Sequence, residues 1–305
     1  MSVAKEKYSA FIQENYVPLF FRDYYLNVVC DKPWEVILHE EENRISAIFV
    51  YMLKQKYGIR YIVQPQLCPY TGPFYFDRLH ANDSYFEMID RLPRHQLMIL
   101  DHFYEVPPFK EKDNSVTLKH TYLINHATEI EKLWGQQSST HRRIIRKADR
   151  ELNHTEVDDI EEFLRFVLQS FEERGKKVPN EPQIFRKLDG VLKEKKQRKI
   201  VKCTNEQGRI VAMCYFMKDE KWTYNFANSV VEDYRHYGMN LILWNEIKAT
   251  LNEGRSFDFE GSMIPGVDEF FRRFKGIKTY YPSIKKSSNG LVRLLAKIKT
   301  SKDTL

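Results

Sequence analysis

Two short stretches hold residues whose types and spacing could do chemistry. The first is Arg235-His236-Tyr237-Gly238-Met239-Asn240. It follows a segment of strand character, Lys221 to Ala227. It precedes a long helical pattern in which Leu241, Leu243, Trp244, Ile247 and Leu251 recur as core contacts. A turn that opens a helix presents backbone N–H groups and the positive end of the helix dipole to an anion. Gly238 lets the backbone come close to such a group, and Arg235 can add a charge-assisted bond to phosphate. The implied ligand is a phosphate-bearing carrier, such as an acyl-CoA or a tRNA end, and the implied chemistry is group transfer. The plainer reading is an ordinary helix start whose glycine only eases a turn.

The second stretch is Phe257-Asp258-Phe259-Glu260-Gly261-Ser262. Strand alternation puts Asp258 and Glu260 on one face and the two phenylalanines on the other. A carboxylate at a strand end beside a cleft can take a proton from an attacking amine. Either acid can equally cap a helix or pair with an arginine, which also perturbs its titration. Basic clusters offer further anion grips or solvated faces. In Arg142, Arg143, Arg146 and Lys147, helical spacing puts Arg142 and Arg146 on one face. Arg272 lies in the run Phe270-Phe271-Arg272-Arg273-Phe274-Lys275. The tail from Lys285 to Lys302 combines Leu291, Leu294, Leu295 and Ile298 with six cations and reads as a terminal helix. It packs on the body or makes at most peripheral contact with an anionic membrane.

The elements that must position these residues are legible in outline. The first half reads as a helix from Lys5 to Tyr16 and strands at 34–39, 45–53 and 59–63. A Pro-rich loop, a helix from 84 to 92 capped by Ser84, and a strand at 96–100 complete it. The second half starts with a strand at 120–125. Thr128 and Glu131 then form a capping box. Helices over 141–152, 158–174 and 182–195 precede three antiparallel strands at 199–203, 209–217 and 221–227. Helix, strand, helix and strand close the chain. The class is α/β (α+β), in two modules over residues 1–119 and 120–305, without a strict sequence repeat.

Composition bounds the function. With 305 residues, 42% apolar and 14% aromatic, the chain can bury a real core. A net charge of +6 suits an anionic ligand but lacks the density of a DNA-binding protein. Four dispersed cysteines without a C-x-x-C pair fit a reducing cytoplasm, and nine scattered histidines form no metal-binding spacing. The first residues lack the apolar run of a signal peptide.

Three segments together resemble the FemAB-like branch of the GNAT acyltransferase superfamily, including the BioF2-like acetyltransferase domains. They are Thr140 to Arg150 (THRRIIRKADR), Arg235 to Trp244 (RHYGMNLILW) and Phe257 to Phe274 (FDFEGSMIPGVDEFFRRF). The match covers residues 120–285, and the first half agrees in layout. The resemblance implies two tandem GNAT-like domains, each a mixed, mostly antiparallel sheet flanked by helices. A splayed pair of strands admits the donor's arm. Arg235, Gly238 and Asn240 would face the donor's phosphates, while Tyr224, Asn225 and Asn228 would lie near its thioester or ester. The chain departs from the pattern at three positions. Asn240 stands where Gly or Ala is usual, Phe271 where Fem-type proteins have lysine, and Glu260 where many have a second glycine.

The expected activity is N-acyl transfer from a phosphate-bearing donor, acyl-CoA being favoured, by direct attack of an amine without a covalent enzyme intermediate. Glu260 or Asp258 would be the base, with Tyr224 nearby. The alternatives are an aminoacyl-tRNA-dependent transferase acting on a cell-wall precursor, with Arg142 and Arg146 on phosphates, and a non-catalytic binding protein of the same fold. The acceptor is a small-molecule or cell-wall-precursor amine. No metal is expected.

Overall fold

The computed structural model describes residues 2–76, 81–103, 116–173, 175, 182–234, 237–261 and 263–287. Contacts divide the chain into two compact units, residues 1–119 with 280–305, and residues 120–279.

In chain order the first unit opens with α1 (Val3–Glu14), α2 (Asp23–Val29), β1 (Trp34–Glu41), β2 (Arg44–Lys56), β3 (Ile59–Val63), β4 (Gly72–Tyr75), α3 (Ala81–Asp90) and β5 (Leu97–Asp101). Next come β6 (Val116–Ile124), α4 (Ile130–Gln136), α5 (Ser139–Glu151), β7 (Asn153–Val157), α6 (Ile160–Glu173), α7 (Pro182–Glu194), β8 (Arg198–Thr204), β9 (Ile210–Lys218) and β10 (Trp222–Val230). The chain continues through α8 (Gly238–Asn252), β11 (Ser256–Asp258), α9 (Pro265–Arg272) and β12 (Ile277–Ser287).

The first unit's strands run in the order β1-β2-β3-β5-β12, with β4 on β2; only β3 and β5 are parallel. The second unit's run β6-β11-β10-β9-β8-β7, and only β10 and β11 are parallel. Each unit therefore has a mixed, mostly antiparallel sheet flanked by helices, the expected class.

The sequence reading differs from the structure at four places. It assigned the chain's end to the second module, but Ser283–Ser287 pair with Asp101–Leu97, so this strand groups with the first unit. Lys285 and Lys286 belong to that strand rather than to a basic helix, and the rest of the tail from residue 288 lies outside the described residues. Helix α4 starts at Ile130 with Glu129 at its cap and no side-chain capping bond, so the Thr128–Glu131 box does not form. Ser84 sits inside the first turn of α3 rather than before it.

Burial explains the second unit's core. β9 is buried from Val211 to Met217 on both faces, the mark of a central strand covered by helices on each side. Ala212, Cys214 and Phe216 face α5 and α8, in one core with Ile145, Ala148, Leu241, Ile242, Phe257 and Phe274. Tyr215, between them in sequence, meets Phe163 of α6 and Phe185 of α7. Helix α8 is sunk almost all round, and this explains Gly238. A methyl group there would come within 2.8 Å of Ala212 Cβ, so glycine lets the helix start lie against β9.

Candidate functional site

The parallel pair in the second unit ends early. β10 pairs with β11 over Trp222↔Ser256, Thr223↔Phe257 and Tyr224↔Asp258, and there β11 stops. β10 runs on to Val230 along β9 alone. From Asn225 onward its other edge has no partner strand among the described residues. Two strands that part beside a helix start leave backbone donors and acceptors open to an extended ligand.

A β-bulge sits at the parting point. Asn225 opposes Phe216 and Ala227 opposes Tyr215, so Phe226 is an extra residue. Partners across an antiparallel pair share a face. Asn225 therefore stands on the α8 side with Phe216, and beyond the bulge Asn228 joins it there, opposite Cys214. Asn228 Nδ2 donates to Asn225 Oδ1 at 3.4 Å. Asn225 is 2% exposed, and its Nδ2 is buried without a partner. Tyr224 points to the opposite face. Its hydroxyl donates to Asp219 Oδ2 at 2.8 Å, while Asp219 Oδ1 accepts from the N–H groups of Lys221 and Trp222. Tyr224 thus ties down the β9–β10 turn and stands apart from the two asparagines.

The start of α8 carries no side-chain cap. Lys147, from α5, lies over the ring of Tyr237 at 4.8 Å, with Nζ 3.4 Å from its hydroxyl. A cation is thus held beside the first turn of α8. Asn240, expected to face phosphate, is turned inward. It is fully buried, and its Oδ1 accepts from His141 Nε2 at 2.6 Å. With the Asn240 oxygen as acceptor, that bond takes the imidazole proton on Nε2. Burial holds His141 below the usual histidine range, against the upward pull of the Asn240 bond. Arg235 lies outside the described residues.

The arginines on α5 have local work. Arg142 Nη1 donates to the carbonyls of Trp134 (3.4 Å) and Gly135 (3.2 Å), closing the end of α4. Arg146 packs over the Trp134 ring at 5.5 Å. Arg272 is exposed at the last turn of α9.

The two carboxyls differ sharply. Asp258 is fully buried, and its Oδ1 accepts from Thr121 Oγ1 at 2.7 Å and from the Glu260 N–H at 2.9 Å. Glu260 has a left-handed backbone (φ 60°), as does Gly261 (φ 62°). A Cβ at Gly261 would collide with the carbonyl oxygen of His120, so only glycine fits there. Glu260 Oε1 is buried and makes no hydrogen bond. Burial, and then the charge of Asp258, push the Glu260 carboxyl far above the usual range. A carboxyl raised in this way favours its protonated form, which is the opposite of a standing base. Beside them His120 Nε2 bonds Asp268 Oδ1 of α9 at 2.5 Å. Burial would raise Asp268, but bonds from His120 and Tyr122 hold it low.

Sequence reasoning brought Asn225, Asn228, Asp258, Glu260 and Gly238 into one region. It did not single out Thr121, His120, His141, Asp219 or Asp268. Thr121 meets Asp258 across 137 positions and His120 meets Asp268 across 148, so no local pattern marks them.

Residues 137–272 match the family model described as Acetyltransferase (GNAT) domain. Among solved structures, FemX superposes with a TM-score of 0.64 at 11% identity, over 93% of this chain and 96% of its own. The C-terminal domain of a protein assigned as a lysylphosphatidylglycerol synthetase from Agrobacterium fabrum gives 0.55 at 14% identity, over 91% and 90%. L-PGS from Bacillus licheniformis gives 0.53 at 14% identity, over 96% and 95%. No curated protein matches the sequence. Residues 137–272 are thus similar to the GNAT acetyltransferase domain, and the chain shares its fold with FemX and L-PGS.

Proposed function

We propose that the protein is an N-acyltransferase that moves an acyl group from acyl-CoA to an amine by direct attack, without an acyl-enzyme. The observation that carries this reading is the parting of β10 from β11 beside the start of α8. An extended donor arm can bond the open edge of β10 as an added strand would. The first turn of α8, with Lys147 and Arg235, takes the donor's phosphates. The Asn225 Nδ2, buried and unpartnered, is a donor suited to the acyl carbonyl as negative charge develops on it. Gly238 serves by letting α8 approach the sheet. Asn240 serves through His141 rather than by touching phosphate. The acceptor is a small-molecule or cell-wall-precursor amine, and the proposed compartment is the cytoplasm.

An aminoacyl-tRNA donor is the second reading. It is favoured by the likeness to FemX along nearly the whole chain. Both donors present an acyl group on a phosphate-bearing carrier, and the chemistry at the fork is common to them.

The test is thermal stability of the nucleic-acid-free protein with acetyl-CoA, with desulfo-CoA and without ligand. A ligand at about 100 times its dissociation constant adds about 2.7 kcal/mol. The expected shift is lost in Arg235→Ala and Lys147→Ala. Absence of any shift with either CoA species would turn the reading toward aminoacyl-tRNA or toward a non-catalytic role.

A further inference from the structure

Glu260 combines four features not found together at any other described carboxyl. It follows the last paired residue of β11 by two positions, where the fork opens. Its backbone is left-handed, a costly conformation for a residue with a side chain. It is locked from behind by Gly261 against the His120 carbonyl. Its Oε1 is buried without a hydrogen-bond partner among the described residues, although the residue as a whole is only half-buried. Among the described residues no ion pair is formed by Glu260, and the neighbouring polar groups have partners of their own. Asp258, the neighbouring acid on β11, is already bonded by Thr121 and by the Glu260 N–H. His120 of β6 and Asp268 of α9 are bonded to each other. Tyr224 of β10 is bonded to Asp219. A carboxyl with a buried, unpartnered oxygen beside a second acid favours its protonated form.

We propose that Glu260 is the catalytic acid of the fork, an un-ionised carboxyl that donates its proton to the departing atom of the acyl donor. This rests on the acyl-transfer reading above and reverses the role of base that the sequence suggests. The step balances as follows. The amine nitrogen forms a bond to the acyl carbon. The bond from that carbon to sulfur of a thioester, or to oxygen of an ester, breaks. The Glu260 proton goes to that sulfur or oxygen. The Glu260 carboxylate then takes the proton that the amine nitrogen loses, and the acid is restored. Strain at φ 60° is consistent with a side chain held for this task.

Two measurements test the proposal on the intact chain. The first is urea unfolding of the wild type and Glu260→Gln from pH 5 to pH 9, with Asp258→Asn as a second variant. Unfolded Glu260, with a pKa of about 4.3, is already ionised across this range, while on the proposal the folded residue keeps its proton. The folding constant of Glu260→Gln relative to wild type should therefore rise about tenfold per pH unit. Asp258→Asn removes the neighbouring charge and should flatten the wild-type slope at the alkaline end. A ratio independent of pH for both variants means that Glu260 is ionised and overturns the proposal. The second is release of CoA from acetyl-CoA with hydroxylamine as the acceptor. Glu260→Gln should keep the thermal shift given by acetyl-CoA and lose about 10²- to 10⁴-fold in rate. An unchanged rate also overturns it. Failure of acetyl-CoA to stabilise the wild type would overturn the CoA donor instead, and the pH slope would still decide the state of Glu260.

Discussion

Asp258 and Glu260 lie two positions apart, yet Asp258 Oδ1 accepts two hydrogen bonds while Glu260 Oε1 is buried with none, and burial pushes the Glu260 carboxyl well above the usual range. The same scale explains a glycine and an asparagine that a motif reading treats as ligand contacts. Gly238 is set by the 2.8 Å approach of a would-be Cβ to Ala212. Gly238→Ala should cost about 1–3 kcal/mol in a urea unfolding measurement, since overpacking outweighs the gain in helix propensity. Asn240 is a partner for His141 before it is anything else. Asn240→Ala should leave the His141 Nε2–H buried without an acceptor and cost about 1–3 kcal/mol. The nitrogen-15 shifts of the His141 ring should then lose the fixed Nε2–H tautomer.

Among the elements, β10 sets the geometry of the fork. Its bulge brings two asparagines three positions apart onto one face, where regular alternation would have separated them. Helix α5 serves α8 through the His141–Asn240 bond and through Lys147, while its Arg142 closes α4. The end of α9 shows a different economy. Lys275 takes the left-handed position (φ 65°) after that helix, one residue before a glycine. Lys275→Gly should stabilise the protein by about 1 kcal/mol, read as a rise in thermal midpoint, because the left-handed penalty disappears.

At the scale of the molecule, each unit contains a neutral buried histidine. His102, in the first unit, is pushed down to about 3 by burial. His141, in the second, is also lowered by burial. Folded forms of both bind protons less readily than the unfolded chain, whose histidines titrate near 6.5. The stability these groups contribute is full above that pH and is lost as pH falls from about 6.5 toward 3 for His102. Urea midpoints should therefore drop on acidification, and His102→Gln should drop less steeply than wild type. Ring packing in the first unit argues for the same steep loss. His102 is fully buried, meets the rings of Phe49 and Tyr85, and fills the space where Gly72 has no side chain.

The sequence by itself determined most of the elements and the order of strand, turn and helix around the proposed site. Periodicity marked α6, α7 and α8. The apolar runs marked β8, β9 and β10, and the order of strand, turn and helix pointed to an anion site before α8. These features are local, because amphipathic spacing and turn chemistry act within a few residues. Tertiary structure decided the rest. Whether Asn240 faced out or in depended on His141, 99 positions away. Tyr224 was claimed by Asp219, and Asn225 and Asn228 shared a face only because a bulge shifted the register. The last described strand joined the first unit because its backbone found β5. The different surroundings of the two acids are likewise something a sequence does not display. A carboxyl keeps or loses its proton according to what encloses it, and enclosure is a property of the folded chain.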